Sequence, residues 1–120
     1  MSELKIPSAH NGYLMAEWHF YASGPDKINE KKLITDKIQT ALAWQQQTGI
    51  PTWVGAWMPG NYNKGNTYNV EEQTVFAGFM TKALSDAGIP FAVNADTKYY
   101  NAAENTWISS MQPVFKTIFQ

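Results

Sequence analysis

Apolar positions in the middle of this chain recur at three- and four-residue spacing. Leu33, Ile34, Ile38, Ala41 and Leu42 form one stripe with Gln45 at its edge, which predicts an amphipathic helix over about 26–47. Phe76, Phe79, Met80, Ala83, Leu84 and Ala87 form a second stripe and predict a helix over 69–87. Asn69 followed by Glu72 has the spacing of a capping box at its start, and Gly88 with Pro90 marks its stop. Met111, Val114, Phe115, Ile118 and Phe119 predict a last helix over 110–119. Between the helices lie two apolar segments too short for surface helices, 52–57 and 91–95, which read as strands buried on both faces. A further strand fits 13–21, so the order is βα three times over.

One motif repeats. Gly49, Ile50, Pro51, Val54 and Ala56 return 39 residues later as Gly88, Ile89, Pro90, Val93 and Ala95, each copy closing a helix and opening a strand. Strands alternating with helices of this length favour parallel pairing through right-handed crossovers. A solenoid would need a denser shared signature than five positions. An α/β layer with parallel strands is therefore expected, and no linker or low-complexity stretch divides it.

Composition narrows the partners. In 120 residues, 9 Lys and Arg stand against 10 Asp and Glu, for a formal net charge of −1. A charge balance of this kind supplies no excess of cations for a phosphate backbone, so nucleic acid is not an expected partner. The chain has no apolar run of membrane-spanning length and no recognisable leader, so no membrane is expected and its location stays open. With no cysteine there is no thiolate nucleophile, disulfide or thiolate metal site. No His/Asp/Glu cluster has ligand spacing either, and neither metal nor organic cofactor is implied; His10 stands alone and reads as a solvated loop residue. Five Trp are core mass or flat platforms for a ligand.

Candidate chemistry gathers at the strand ends, where parallel α/β folds bind ligands. His19 and Tyr21 are two apart on the first strand and share a face, positioned to hydrogen-bond a carboxylate or a sugar hydroxyl. The same pattern also fits a structural histidine, with Glu17 a solvated strand start. The second strand ends in Ala56 and Trp57 and leads into a loop with Asn61 and Tyr62, a composition that suits stacking and amide hydrogen bonds to a sugar. The third strand leads into Asn94 and Asp96. Trp18, Trp44, Trp53 and Trp107 are expected to be packing residues, with Trp18 and Trp53 alternating away from the ligand side.

Taken in order, the segments HFYASGP, GIPTWVGAW, KYYNAAENTW and QPVFKTIF resemble the last three βα units of glycoside hydrolase family 5, the cellulases and endoglucanases. The resemblance covers essentially the whole chain and implies a partial (β/α)8 TIM barrel. It implies that His19 and Tyr21 are the family's His-x-Tyr pair, orienting the nucleophile. The family's nucleophilic Glu falls at Ala56. The acid/base Glu belongs to a strand that would precede this chain. Trp57, Asn61, Tyr62, Asn94 and Asp96 are then the expected substrate contacts. The family often places a stacking Trp at its last strand, where this chain has Val93 to Asp96 instead.

A retaining glycosidase needs two carboxyl groups about 5 Å apart. With Ala56 at one position and the other absent, the chain alone is expected to be inactive. Three βα units also cannot close an eight-stranded barrel. The expected partners are a polysaccharide or oligosaccharide and either further copies of the chain or a complementary N-terminal half of the barrel. The other reading is a non-catalytic, carbohydrate-binding or self-assembling half-barrel module.

Overall fold

A computed structural model describes residues 12–21, 29–60, 68–95 and 97–120. Strand β1 (Ala16–Tyr21) is followed by α1 (Glu30–Thr48), β2 (Thr52–Met58), α2 (Val70–Asp86) and β3 (Phe91–Val93). A small hairpin of β4 (Tyr100–Asn101) and β5 (Thr106–Trp107) then leads through a 3-10 turn, Ser109–Met111, into α3 (Gln112–Ile118). The three long segments pair in parallel in the order β1-β2-β3. This is a parallel sheet with alternating helices, the arrangement of part of a (β/α)8 barrel.

The repeated Gly-Ile-Pro has a structural cause. Gly49 and Gly88 end α1 and α2 with φ of 72° and 66°, a left-handed turn in which a side chain is strained. The Gly49 N–H donates to the Gln45 carbonyl at 2.8 Å, and the Ile89 N–H donates to the Leu84 carbonyl at 3.0 Å. Ile50 and Ile89 then bury themselves, 2% and 3% exposed, and fix the exit direction. The prolines cannot continue a helix, yet their carbonyls start the sheet. Pro51 O accepts from Ala16 N and Pro90 O from Val54 N, each at 2.9 Å. Each copy is thus a cap, an anchor and the first rung of a parallel ladder.

At the start of α2 the capping box is complete. The Glu72 N–H donates to Asn69 Oδ1 and the Asn69 N–H donates to Glu72 Oε2, both at 2.8 Å. Asn69→Ala removes one of these two bonds and is expected to lower stability by about 1 kcal/mol. Urea unfolding followed by circular dichroism measures it; an unchanged midpoint would show that the cap does not hold α2.

The core lies on one side of the sheet. Phe20, Val54 and Trp57 meet Ile34, Ile38 and Ala41 of α1, Phe76, Ala77, Met80 and Leu84 of α2, and Val114, Phe115 and Ile118 of α3. Three details differ from the sequence expectation. On α1 the buried stripe runs Glu30, Ile34, Ile38, Ala41, Trp44, so Trp44 replaces Leu33, which is exposed. Trp44 instead packs with Ala16 and Ile50 beside the edge strand. Phe119 lies past the end of α3 and is exposed. The β4–β5 hairpin was not foreseen, because strands of two residues carry no readable period; Asn105 at φ 52° turns it. Trp107 covers it, its ring 5.1 Å from that of Tyr100 and 4.4 Å from that of Phe115, and is half exposed.

Nor are β2 and β3 buried on both faces as expected. Trp53, Gly55, Ala56 and all of β3 are half-buried, because among the described residues no helix covers the far side of the sheet. That open face carries the candidate site. No helix among the described residues is long and apolar enough to cross a membrane.

Candidate sugar-facing site

Alternation along β1 separates two sets of side chains. Ala16, Trp18 and Phe20 turn to the helices, while Glu17, His19 and Tyr21 turn to the open face. Pairing with β2 begins regularly, Glu17 beside Trp53 and Trp18 beside Val54, but then jumps so that His19 lies beside Ala56. Gly55 is left without a partner in β1, a β-bulge in which a residue without a side chain is at home. The register continues with Phe20 beside Trp57 and Tyr21 beside Met58.

The bulge decides which tryptophan faces a ligand. By simple alternation Trp53, Gly55 and Trp57 share a face. The extra residue reverses the parity, so Trp53 lies on the open face level with Glu17, and Trp57 joins Phe20 on the helix side. Trp57 is fully buried, edge-on to Phe91 with ring centres 5.9 Å apart. The expected sugar platform is therefore a core residue, and the expectation that Trp53 turns away from the ligand side is corrected as well. A glycine inside an apolar strand was the sequence signal for the bulge.

His19 and Ala56 are neighbours across the two strands. Tyr21 lies one step further toward the strand ends, where the Asn94 amide nitrogen is 3.5 Å from its hydroxyl. The Asn94 backbone N–H donates to the Trp57 carbonyl at 2.8 Å, which extends the β2–β3 ladder past the end of β3. Asn61, Tyr62, Asp96 and His10 lie outside the described residues, as does the predicted start of the first helix at residue 26.

The charged group on this face is Glu17, whose Oε1 is 2.6 Å from His19 Nε2. Three other described carboxylates serve elsewhere. Glu72 caps α2, and Asp36 and Asp86 pair with Lys32 and Lys82 on exposed helix turns. Among the described residues no three His, Cys, Asp or Glu side chains are placed to hold a metal ion. The open face thus offers one carboxylate–imidazole pair, a phenol, an amide and the half-buried Trp53, a set able to hydrogen-bond and stack on a polyol. Among the described residues this face carries one carboxyl group, where a retaining glycosidase uses two.

A different concavity, of about 720 Å³, lies on the flank of α1 beside the edge strand, lined by Trp18, Leu33, Lys37, Thr40, Trp44 and Gln47. The Trp18 indole N–H, buried there, has no hydrogen-bond partner among the described residues.

The helix-backed parallel sheet with its polar residues at the strand ends has the fold of a section of a (β/α)8 barrel. Among solved structures the chain is similar in fold to the following three proteins. One is the Clostridial cellulose synthase subunit Z from Clostridioides difficile, with a TM-score of 0.73 and 12% identity over 100% of this chain and 44% of that one. Another is Thermotoga maritima Cel5A in complex with mannotriose, at 0.69 and 13% over 99% of this chain and 43% of that one. The third is a GH5-4 broad-specificity endoglucanase from Clostridium longisporum, at 0.64 and 16% over 87% and 34%. The chain spans less than half the length of each. No protein-family model matches the sequence, and no curated protein is similar to it in sequence.

Proposed function

We propose that the chain is a section of a retaining β-glycan hydrolase barrel of the endo-β-1,4-glucanase type, with its open sheet face as one wall of the glycan cleft. The observation that carries this reading is the register of His19 with Ala56 at the ends of parallel strands, inside a fold shared with endoglucanases. In that role His19 and Tyr21 orient the group at position 56, and Asn94 bonds a sugar hydroxyl, joined by Asn61, Tyr62 and Asp96. With Ala at position 56 the section is catalytically silent. A Glu there would attack the anomeric carbon to form a glycosyl-enzyme ester, which water then cleaves with help from the second carboxyl group.

The missing partner is a complementary section more naturally than further copies of this chain. Eight-stranded closure needs five strands beyond these three, whereas copies add strands in threes. The concavity beside β1 supports the same view. In right-handed βα connections the helix of the preceding unit packs against the outer side of the next strand, which here is where Trp18, Leu33 and Trp44 leave a groove.

The test mixes the chain with a segment supplying the other five βα units and measures hydrolysis of soluble β-1,4-glucan. Ala56→Glu is expected to be active only in the mixture, by roughly 10⁴-fold over the Ala56 chain in the same mixture. Glycan binding by the unaltered chain with no rescue by Ala56→Glu would favour a non-catalytic carbohydrate-binding module. The absence of both binding and rescue would overturn the glycan reading.

A further inference from the structure

Glu17 has no role in the reading above, yet the sheet is shaped around it. An ideal Cβ on Gly55 would lie 1.9 Å from Glu17 Oε1 and 2.2 Å from its Cδ, so the carboxyl group fills space that any other residue at position 55 would take. The bulge at Gly55 opens this notch directly below the His19–Ala56 step. In the notch the carboxylate meets His19 Nε2 at 2.6 Å. A neutral imidazole has one donor and one acceptor nitrogen, and the partner of one nitrogen settles the state of the other. A carboxylate accepts, so Nε2 carries the proton and Nδ1 is left as an acceptor. Nδ1 has no partner among the described residues, and the ring is half exposed.

We propose that Glu17 is a positioning residue: seated in the Gly55 notch, it holds the His19 ring in one orientation and one tautomer, so that Nδ1 accepts a hydrogen bond from a sugar hydroxyl beside position 56. This rests on the glycan reading and adds a residue and a direction to it. Tyr21 and Asn94 both carry donors at the same end of the face; His19, fixed in this way, supplies a pure acceptor. A hydroxyl that donates to His19 while accepting from Asn94 is then matched on both sides. A side chain at position 55 would displace the Glu17 carboxyl group from this place.

The experiment uses the whole chain, with imidazole ¹⁵N correlation spectra at a pH of about 8, and cellohexaose binding in parallel. His19 is expected to show a protonated Nε2 with a proton shifted downfield by its carboxylate partner, and an unprotonated Nδ1; His10 provides the reference. Glu17→Gln, whose amide oxygen still accepts, keeps this pattern and the affinity. Glu17→Leu and Gly55→Ala lose the downfield proton and weaken cellohexaose binding about five- to tenfold, the worth of one hydrogen bond. Should Gly55→Ala fail to fold, the two Glu17 variants carry the comparison. A proton on Nδ1 of His19 in the unaltered chain, or a Glu17→Leu variant with unchanged spectrum and affinity, would overturn the proposal. If the spectra change as stated but no variant binds cellohexaose, the glycan reading falls while the hold of Glu17 on His19 stands.

Discussion

Trp57→Ala is expected to cost about 3–5 kcal/mol and to abolish the cooperative unfolding transition, because it empties the largest fully buried side chain in the structure. Native domains hold only about 5–15 kcal/mol in total, and a small sheet covered on one side has little to spare. Trp57→Phe separates two components of this loss. The Trp57 indole N–H is buried without a hydrogen-bond partner among the described residues, a debt of about 1–3 kcal/mol that phenylalanine does not carry. Phe is smaller and leaves a gap against Phe91, so the two effects oppose and the net change is expected within about 1 kcal/mol of zero. Urea titration read by near-ultraviolet circular dichroism follows both variants. If Trp57 were a solvent-facing sugar platform, Trp57→Ala would leave the transition in place and remove only glycan affinity; that result would refute the register drawn here.

Gln73→Leu is expected to cost about 2–4 kcal/mol although it exchanges a polar side chain for an apolar one. Gln73 is 3% exposed and joins two segments far apart in sequence. Its Nε2 donates to the Tyr68 carbonyl at 2.8 Å, and its Oε1 accepts from the Tyr99 hydroxyl at 2.8 Å. Leucine fills the volume but answers neither group, at about 1–3 kcal/mol each in a dry interior. Tyr99→Phe removes only the second bond and is expected to cost about 1 kcal/mol. In the double variant the two losses fall short of their sum, since both delete the Tyr99–Gln73 bond. Additive losses in a urea double-mutant cycle would mean that the bond contributes nothing.

What was legible in the sequence was whatever repeats or carries a strong local preference. Gly49–Ile50–Pro51 and its copy were visible because three residues with separate backbone demands fall in the same order twice. Asn69 and Glu72 were readable as a cap because both bonds are local. The shared face of His19 and Tyr21 followed from a spacing of two on an uninterrupted strand. The bulge was not read, and one extra residue at Gly55 puts Trp53 and Trp57 on opposite faces of the sheet. Periodicity cannot place a residue once the strand's parity has changed. Leu33 and Trp44 were exchanged for a related reason: both lie on the border of the α1 stripe, and the depth of each is settled by the edge strand beside it. Glu17 looked like a solvated strand start because its partners, His19 and the empty side of Gly55, become neighbours only through pairing with β2.

The joint formed by Gly49–Ile50–Pro51 and again by Gly88–Ile89–Pro90 makes each βα unit a part with standard fittings. Its hydrogen bonds to the neighbouring strand come from the proline carbonyl, a backbone group, so the joint asks nothing of the side chains it meets. Units cut at these glycines present the same socket at either end. A fold assembled in this way can be divided, shared between two chains or extended by duplication with its ladder intact.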